Sequence, residues 1–437
     1  MEEDNHNDEN IQIEENKIEN LPQDNDQNQY ENNQQEDDNQ EDIIIDTSNK
    51  EPKEEINLEG KEEEPTIYIA ETKQTQDNKT QYILKGKMCT EPLIRRYSDF
   101  FSLRQKIMSR WPGIVVPNLP PKILIGSSSD KTTIRIRKRL LNNFCVDLVK
   151  KNYFLDSEEV KLFFEPSNTP QDFQTKVALV PELTYAQIME NYNKYFTPEE
   201  DKNRNYPVFT QHDYTEFNSF IAKWMTLIKT TKENMFKYSE ERRQSIRNNY
   251  KIFRALEEYE KSSLMDYAEG DSSQLVFFNV KNSKLTEKVL SYTHDVQNEY
   301  EVIYQWLEDR ELHLMALTDA LASFSNLLSN QAKLEEEIEA LNIKIRNLEI
   351  GKRGFFDIIK LKKPEDLLPQ CKNELNEKKE KLTCLKKILE LLNLRFAKEK
   401  IKVLEQMKVE FYETVKKFGN INVNNNIKNS ELWEEVN

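Results

Sequence analysis

Arg95-Arg96-Tyr97-Ser98-Asp99-Phe100 is the stretch that decides the fold of this chain. It follows an apolar pattern that predicts a strand, and it opens a segment, Tyr97–Trp111, whose apolar residues recur at helical spacing. An arginine at such a junction can aim its planar guanidinium at a phosphate and bind it through two hydrogen bonds. The stretch therefore predicts an anion site at the start of a helix.

The residues around this junction predict a small α+β domain, which we place at residues 65–166. Alternating apolar residues predict two strands, Thr66–Thr72 and Gln81–Cys89, with a polar turn between them. A proline-rich passage, Pro112 to Pro121, follows the first helix. The further helices predicted in this domain are Thr132–Asn152 and Ser157–Phe164.

Beyond Thr210 the chain is predicted to be almost wholly helical. Apolar residues hold a 3-4 spacing over three long segments, which predict helices at residues 210–267, 283–350 and 365–418. Helices of this length bury their apolar stripes in an elongated bundle or coiled coil, which we place at residues 206–437. The Asn-rich segment Gly419–Lys428 is expected to fray the end of the last helix.

Two segments lie outside these domains. Residues 1–64 hold 24 acidic and 4 basic side chains and bury too little apolar surface to fold, so they are predicted to form a disordered acidic tail. The apolar run in the tail, Ile43-Ile44-Ile45, is either a short motif for a partner protein or a chance feature. Residues 167–205 are predicted to be a linker that includes a short amphipathic helix, Tyr185–Phe196.

Charge and composition limit the ligands and the cellular location that can be expected for this chain. The net charge of −16 conceals a basic module, because residues 65–166 hold 18 basic and 10 acidic residues, and a basic module suits phosphate or anionic lipid headgroups. The four cysteines form no CxxC pair, which favours reduced thiols in the cytosol and no metal site. The polar N-terminus predicts no signal peptide. No apolar run approaches the roughly 20 residues that span a bilayer, so membrane contact is predicted to be peripheral.

An enzyme is not expected. The sequence contains no phosphate-binding P-loop, no Gly-x-Ser-x-Gly, no HExxH and no GxGxxG motif. The four histidines neighbour no cysteine or carboxylate set of catalytic spacing. We therefore predict a binding protein without a cofactor and without nucleic acid as a partner.

Three separated motifs carry a resemblance to a known family. They are the Arg95–Phe100 stretch, the Pro117–Lys122 passage, and Arg137 ahead of Leu141-Asn142-Asn143-Phe144. With the closing Leu162-Phe163-Phe164, they make residues 65–166 resemble a PX domain, the phosphoinositide-binding module of the sorting nexins. The resemblance implies that phosphatidylinositol 3-phosphate is the ligand.

The resemblance also implies a role for each site residue. Arg96 is expected to bind the 3-phosphate, and Tyr97 to pack against the inositol ring. Lys122 is expected to meet the 1-phosphate, and Arg137 to hydrogen-bond the 4- and 5-hydroxyls. Ser98 is expected to add a hydrogen bond.

The residues beside the expected pocket allow two interpretations each. Ile123, Leu124 and Ile125 either insert into the bilayer next to the headgroup or form the buried end of a strand. The basic residues Arg135, Lys138 and Arg139 form either a solvated helix face or further headgroup contacts.

The C-terminal half resembles the BAR domain that follows PX in one subfamily of sorting nexins. The resemblance rests on three long helices and on Phe396–Lys400, Phe411-Tyr412-Glu413 and Trp433. The turn between the second and third helices is either a membrane-contacting tip or a solvated turn. Its basic residues are Lys352, Arg353, Lys360, Lys362 and Lys363.

The two resemblances together imply a sorting nexin that is cytoplasmic and peripheral on endosomal membranes, where it senses or generates curvature during sorting and protein transport. Its implied partners are the lipid, a second BAR-type sorting nexin in a homo- or heterodimer, and retromer-like or cargo proteins. The alternative is a PX-addressed dimeric scaffold or tether that does not bend membranes. The charge asymmetry raises a further hypothesis, that the acidic tail folds over the basic module and competes with lipid.

Overall fold

The structure is a computed structural model that describes residues 65–77, 79–122, 131–196, 209–264, 277–278, 284–350 and 364–434. The predicted acidic tail, including Ile43-Ile44-Ile45, lies outside the described residues. Within these ranges, no helix combines the length and the apolar character that crossing a membrane requires.

A three-stranded antiparallel sheet opens the described chain, in the order β1 (Tyr68–Gln74), β2 (Thr80–Lys85) and β3 (Leu93–Arg96). The second strand ends at Lys85 rather than at the predicted Cys89. Gly86, which follows it, has a φ of 136°, a backbone conformation that favours glycine and ends the strand. The chain then turns back, and the N–H of Lys87 donates to the carbonyl of Pro65 at 3.1 Å.

Helices pack on one face of this sheet. The first, α1, covers Tyr97–Arg110, within one residue of its prediction, and it buries Phe100, Leu103 and Ile107 completely. Their spacing of three and four residues places them on one side of the helix. The helices that complete this module are α2 (Lys131–Val149), α3 (Asn152–Leu155) and α4 (Glu158–Phe164).

The segment predicted as a linker contains two helices, α5 (Pro170–Leu179) and α6 (Tyr185–Tyr195). The sequence analysis missed α5, which begins at Pro170. Proline is well tolerated in the first turn of a helix, and here the Thr169 hydroxyl caps that turn by accepting the N–H of Asp172. Both helices pack on the core of the first module, where Tyr192 of α6 stacks on Trp111 at 5.6 Å.

Long helices make up the rest of the chain. They are α7 (Gln211–Tyr259), which continues as a π-helical turn over Glu260–Leu264, α8 (Leu285–Asp295), α9 (Glu299–Glu349) and α10 (Pro364–Glu434). The helix predicted over residues 283–350 is therefore two helices. Asn298 causes the break, because its side chain accepts the N–H of Tyr300 at the start of α9 and donates to the carbonyl of Ser239 on α7 at 2.8 Å.

The fraying predicted for Gly419–Lys428 is wrong, since α10 runs through this segment to Glu434. The asparagines make tertiary contacts rather than weakening the helix. Asn425 is buried, and its side chain donates to the carbonyl of Gln297 between α8 and α9 at 2.9 Å. Ile421, one turn earlier, is buried on the same side of the helix.

One apolar core joins the first module to the long helices, with members from Ile67 in the first module to Met407 in α10. Two aromatic residues of α9 pack against aromatic side chains of other helices. Trp306 contacts Phe411 with ring centroids 5.8 Å apart, and Tyr304 contacts Phe236 at 5.7 Å. They are thus part of the helical packing.

His313 on α9 predicts a pH dependence of stability. Burial, with Arg310, Lys151 and Lys402 nearby, lowers the pKa of His313 from 6.5 to about 4, against the opposing charge of Asp147. As the pH falls below 6.5, the unfolded chain takes up a proton that the folded chain does not. Stability should therefore fall by about 2 kcal/mol between pH 7 and pH 5 from this group.

Urea unfolding of the wild type and of His313→Gln at both pH values measures this effect. The variant should lose less stability than the wild type on acidification, because glutamine does not titrate. Equal losses in the two proteins would show that His313 does not carry the pH dependence.

Candidate phosphoinositide headgroup site

The two adjacent arginines at the end of β3 have different environments. Arg95 is fully buried, and its Nε and Nη1 donate to the carbonyls of Phe163 at 2.9 Å and Asn168 at 2.8 Å. Successive residues of a strand point to opposite faces. Arg96 therefore points away from the core that holds Arg95, and it is the arginine that a ligand can reach.

Arg96 lies at the N-terminal cap of α1. The carboxylate of Asp99 accepts the backbone N–H of Arg96 at 2.7 Å and the side-chain amide of Gln174 at 2.6 Å, which fixes the first turn. Burial raises the pKa of Asp99, and these two hydrogen bonds oppose that shift. The Asp99 carboxylate thus binds the first turn of α1 and the side chain of Gln174. Nε of Arg96 is buried and has no hydrogen-bond partner among the described residues.

Tyr97, Arg137 and the Pro117–Lys122 passage meet beside Arg96. The guanidinium of Arg137 lies 5.2 Å from the centre of the Tyr97 ring, and its Nη2 donates to the carbonyl of Lys122 at 2.9 Å. The Tyr97 hydroxyl donates to the carbonyl of Pro120 at 2.6 Å. Arg137 is 5% exposed, and its Nε has no hydrogen-bond partner in the described part of the chain.

Uncompensated positive charge distinguishes this site. Within the described ranges, Arg96, Lys122 and Arg137 form no ion pair with a carboxylate, whereas nearby arginines do. Those pairs are Arg104 with Asp319, Arg110 with Glu159, and Arg139 with Glu308. Buried guanidinium N–H groups normally have acceptors. A small ligand with several phosphate oxygens supplies such acceptors in the bidentate geometry that arginine prefers.

The structure does not test the remaining ligand contacts. Ser98 is exposed, and its hydroxyl lies 3.4 Å from Asp99 Oδ1. The side chain of Lys122 is exposed as well. The proposed insertion residues Ile123, Leu124 and Ile125 lie outside the described residues. The tip residues also lie outside them: Lys352, Arg353, Lys360, Lys362 and Lys363.

Two other basic residues of α2, Lys138 and Arg139, make contacts within the chain, whereas Arg135 is exposed. Arg139 donates to Glu308 Oε2 at 2.6 Å and to Asp309 Oδ1 at 2.8 Å, both on α9, and Arg135 lies 3.4 Å from Glu301. Lys138 donates to the carbonyl of Ala70 at 3.0 Å. The side of α2 that carries Lys138 and Arg139 is therefore an internal interface with β1 and α9. The sequence alone contained no signal for it, because the acidic partners lie more than 160 positions away.

Sequence reasoning also missed two residues next to the site. Tyr82 on β2 is fully buried, and burial raises its pKa against the opposing charge of Arg137. A tyrosine at an inward position of a strand is a signal that could have found it, because a buried phenol needs a polar neighbour. Arg104 on α1 donates through Nε to the carbonyl of Pro117 at 2.9 Å, and nothing in its local sequence marks it.

Known proteins resemble the part of the chain that contains this site. A family model described as PX domain matches residues 90–167. Sorting nexin MVP1 of Candida albicans is 35% identical over 86 residues, which cover 20% of this chain and 11% of that protein. Sorting nexin-8 of Homo sapiens is 29% identical over 97 residues, which cover 22% of this chain and 20% of that protein. The chain thus matches at most a fifth of the length of either relative.

A solved structure described as the cryo-EM structure of the SNX-BAR Mvp1 tetramer aligns with 85% of this chain and 100% of that chain, at a TM-score of 0.49 and 14% identity. The PX match and the sorting nexin relatives agree with the small antiparallel sheet and the helices that follow it. Residues 90–167 therefore match the PX domain and are similar to sorting nexins, and long helices follow them in the chain.

Proposed function

We propose that this chain is a sorting nexin of the PX-BAR subfamily, that it binds phosphatidylinositol 3-phosphate through Arg96, Tyr97, Ser98, Lys122 and Arg137, and that it thereby reaches the cytoplasmic face of endosomal membranes during protein sorting. The observation that carries the proposal is the group of three cations around Tyr97, which have no carboxylate partner among the residues that the structure describes. The proposal includes no catalytic step.

Charge balance supports a lipid with a single phosphomonoester. A phosphomonoester at position 3 and the phosphodiester at position 1 together carry a charge of about −3, which three cations neutralise. A further phosphate would need a further cation. The neighbouring Arg139 is paired with Glu308 and Asp309 on α9, so it is not available for one. The ring of Tyr97 supplies the flat surface that an inositol packs against.

We also propose that the helical region pairs with a second BAR-type chain, in a homo- or heterodimer, and shapes the membrane. Exposed apolar side chains support this proposal. On α7, Phe236 is one of them but contacts Tyr304 of α9, and the other five are Leu227, Tyr238, Ile252, Leu256 and Tyr259. At 100° per residue these five positions lie within about 40° of one line along the helix. An exposed apolar stripe of this length is typical of a protein–protein contact.

Sedimentation with liposomes, with and without phosphatidylinositol 3-phosphate, tests the lipid site. The wild type should sediment only with the lipid, and Arg96→Ala should bind at least about tenfold more weakly, because a charge-assisted contact to phosphate is lost. Lys150→Ala, which removes one positive charge from an exposed position at the end of α2, should behave like the wild type. Equal sedimentation of Arg96→Ala and wild type would refute the site.

Electron micrographs of the same samples separate remodelling from tethering. A membrane-bending protein should draw the vesicles into tubules, whereas the alternative scaffold or tether binds vesicles and leaves them round. Retromer-like partners and cargo remain expectations from the family resemblance.

A further inference from the structure

The passage Val115–Lys122, which we call the proline loop, is held in place by four side chains that donate to its carbonyls. Tyr97 donates to Pro120, and Arg137 donates to Lys122, both from the headgroup site. The Lys151 ammonium donates to the Val115 carbonyl at 2.8 Å, and Arg104 Nε donates to that of Pro117 at 2.9 Å. Because proline has no N–H to donate, these side chains largely determine where the loop lies.

Arg104 connects the proline loop to the helical region. It is 6% exposed, and its Nη2 donates to Asp319 Oδ2 on α9 at 2.6 Å. One guanidinium thus holds a loop carbonyl with one nitrogen and a carboxylate of α9 with another. A buried guanidinium that loses its carboxylate moves toward water or another acceptor. The Asp319 carboxylate therefore keeps Arg104 directed at Pro117.

We propose that Asp319 is a positioning residue for the headgroup site. It orients Arg104, which holds the proline loop that carries Lys122, so the helical region sets the affinity of the PX domain for its phosphorylated headgroup. This inference rests on the proposed function. It assigns to α9 a part in lipid recognition, although the side-chain hydrogen bonds described for Tyr97 and Arg137 go to the proline loop and not to α9.

The position of Asp319 distinguishes it from the other acidic residues of α9 that contact the PX domain. Glu301, Glu308 and Asp309 pair with Arg135 and Arg139 on α2, and neither arginine contacts the proline loop. Coupling between two sites is reciprocal. Headgroup binding should therefore stabilise the contact between Arg104 and Asp319 by the same factor by which that contact strengthens binding.

Calorimetric titration of the full chain with water-soluble, short-chain phosphatidylinositol 3-phosphate tests the inference without a membrane. Asp319→Ala should bind about three- to tenfold more weakly than the wild type. This loss is smaller than the full contribution of a charge-assisted hydrogen bond, because Asp319 acts on the site only through Arg104. Asp319→Glu keeps the carboxylate and should restore most of the affinity. Asp309→Ala is the matched control, because it removes a carboxylate of α9 that pairs with α2 only, and its affinity should equal that of the wild type.

Thermal unfolding of each variant shows whether it is folded, and Asp319→Asn, which has the same shape, replaces Asp319→Ala if alanine lowers the unfolding temperature. Wild-type affinity in the Asp319 variant would overturn the inference. So would an equal loss in Asp309→Ala, because the effect would then come from domain docking in general. Arg96→Ala is titrated in parallel. If Arg96→Ala binds as well as the wild type, the proposed function itself fails, whereas a defect in Arg96→Ala alone refutes only the role of Asp319.

Discussion

Replacement of Arg95 by alanine is expected to destabilise the PX domain by about 3 to 5 kcal/mol, because it leaves buried carbonyls without their donor. The Arg95 guanidinium donates hydrogen bonds to the carbonyls of Phe163, Glu165 and Asn168. These carbonyls lie at the C-terminal end of α4 and in the turn before α5. Carbonyls at a helix C-terminus have no partner within the helix. The ring of Phe173 on α5, 5.7 Å from the guanidinium carbon, loses its cationic neighbour as well.

Arg96→Ala is the matched control one residue along the chain. Its guanidinium makes no ion pair in the described structure, so its removal should change stability by no more than about 0.5 kcal/mol. Hydrogen exchange at the amides of α4 and α5 measures local opening in both variants. If Arg95→Ala exchanges as slowly as the wild type, the carbonyls have found other donors and the structural role of Arg95 is refuted.

Gly113→Ala should lower the free energy of unfolding by about 2 to 4 kcal/mol, nearly as much as Arg95→Ala, since it combines backbone strain with a steric overlap. Gly113 has a φ of 83°, which an L-amino acid with a side chain rarely adopts. A Cβ built there would lie 2.8 Å from Cδ1 of Leu392 on α10. Both the turn after α1 and the contact between this turn and α10 would have to shift.

Gly419→Ala provides a control of opposite sign. Gly419 lies within α10, and a Cβ there would meet no atom within 4 Å, so alanine should stabilise the helix by up to about 1 kcal/mol. Chemical unfolding of the full chain, monitored by far-UV circular dichroism, measures both variants. A Gly113→Ala protein with wild-type stability would show that Leu392 moves away freely.

The sequence predicted those parts of the fold whose signal is local. The alternation in β1 and β2, the spacing in α1 and the three motifs of the headgroup site all lie within short stretches, and the structure brings Tyr97, Arg137 and the proline loop together. Such patterns can be recognised in the sequence because apolar residues recur with a short period in both strands and helices.

The errors have a common physical cause. The break before α9 depends on Asn298 reaching Ser239, and the continuity of α10 depends on Asn425 reaching Gln297, 128 positions away. An asparagine in a sequence indicates a turn or a helix cap. Whether the helix ends there depends on the group with which its side chain forms hydrogen bonds in the folded chain. The pair of Arg104 and Asp319 spans 215 positions, and no local pattern indicates it.

The contact between Gly113 and Leu392 has a consequence for the order in which the protein acquires its structure during synthesis. About 280 residues separate the two, which at roughly 5–20 residues per second means that the turn after α1 leaves the ribosome about 15–60 s before its partner. A shorter delay, of about 200 to 240 residues, applies to the contacts of Tyr153 and Phe196, which pack around Trp111, with Arg395 of α10. During translation, an apolar side of the first module faces solvent until the last helix arrives, and chaperones that recognise nascent chains would find their substrate there.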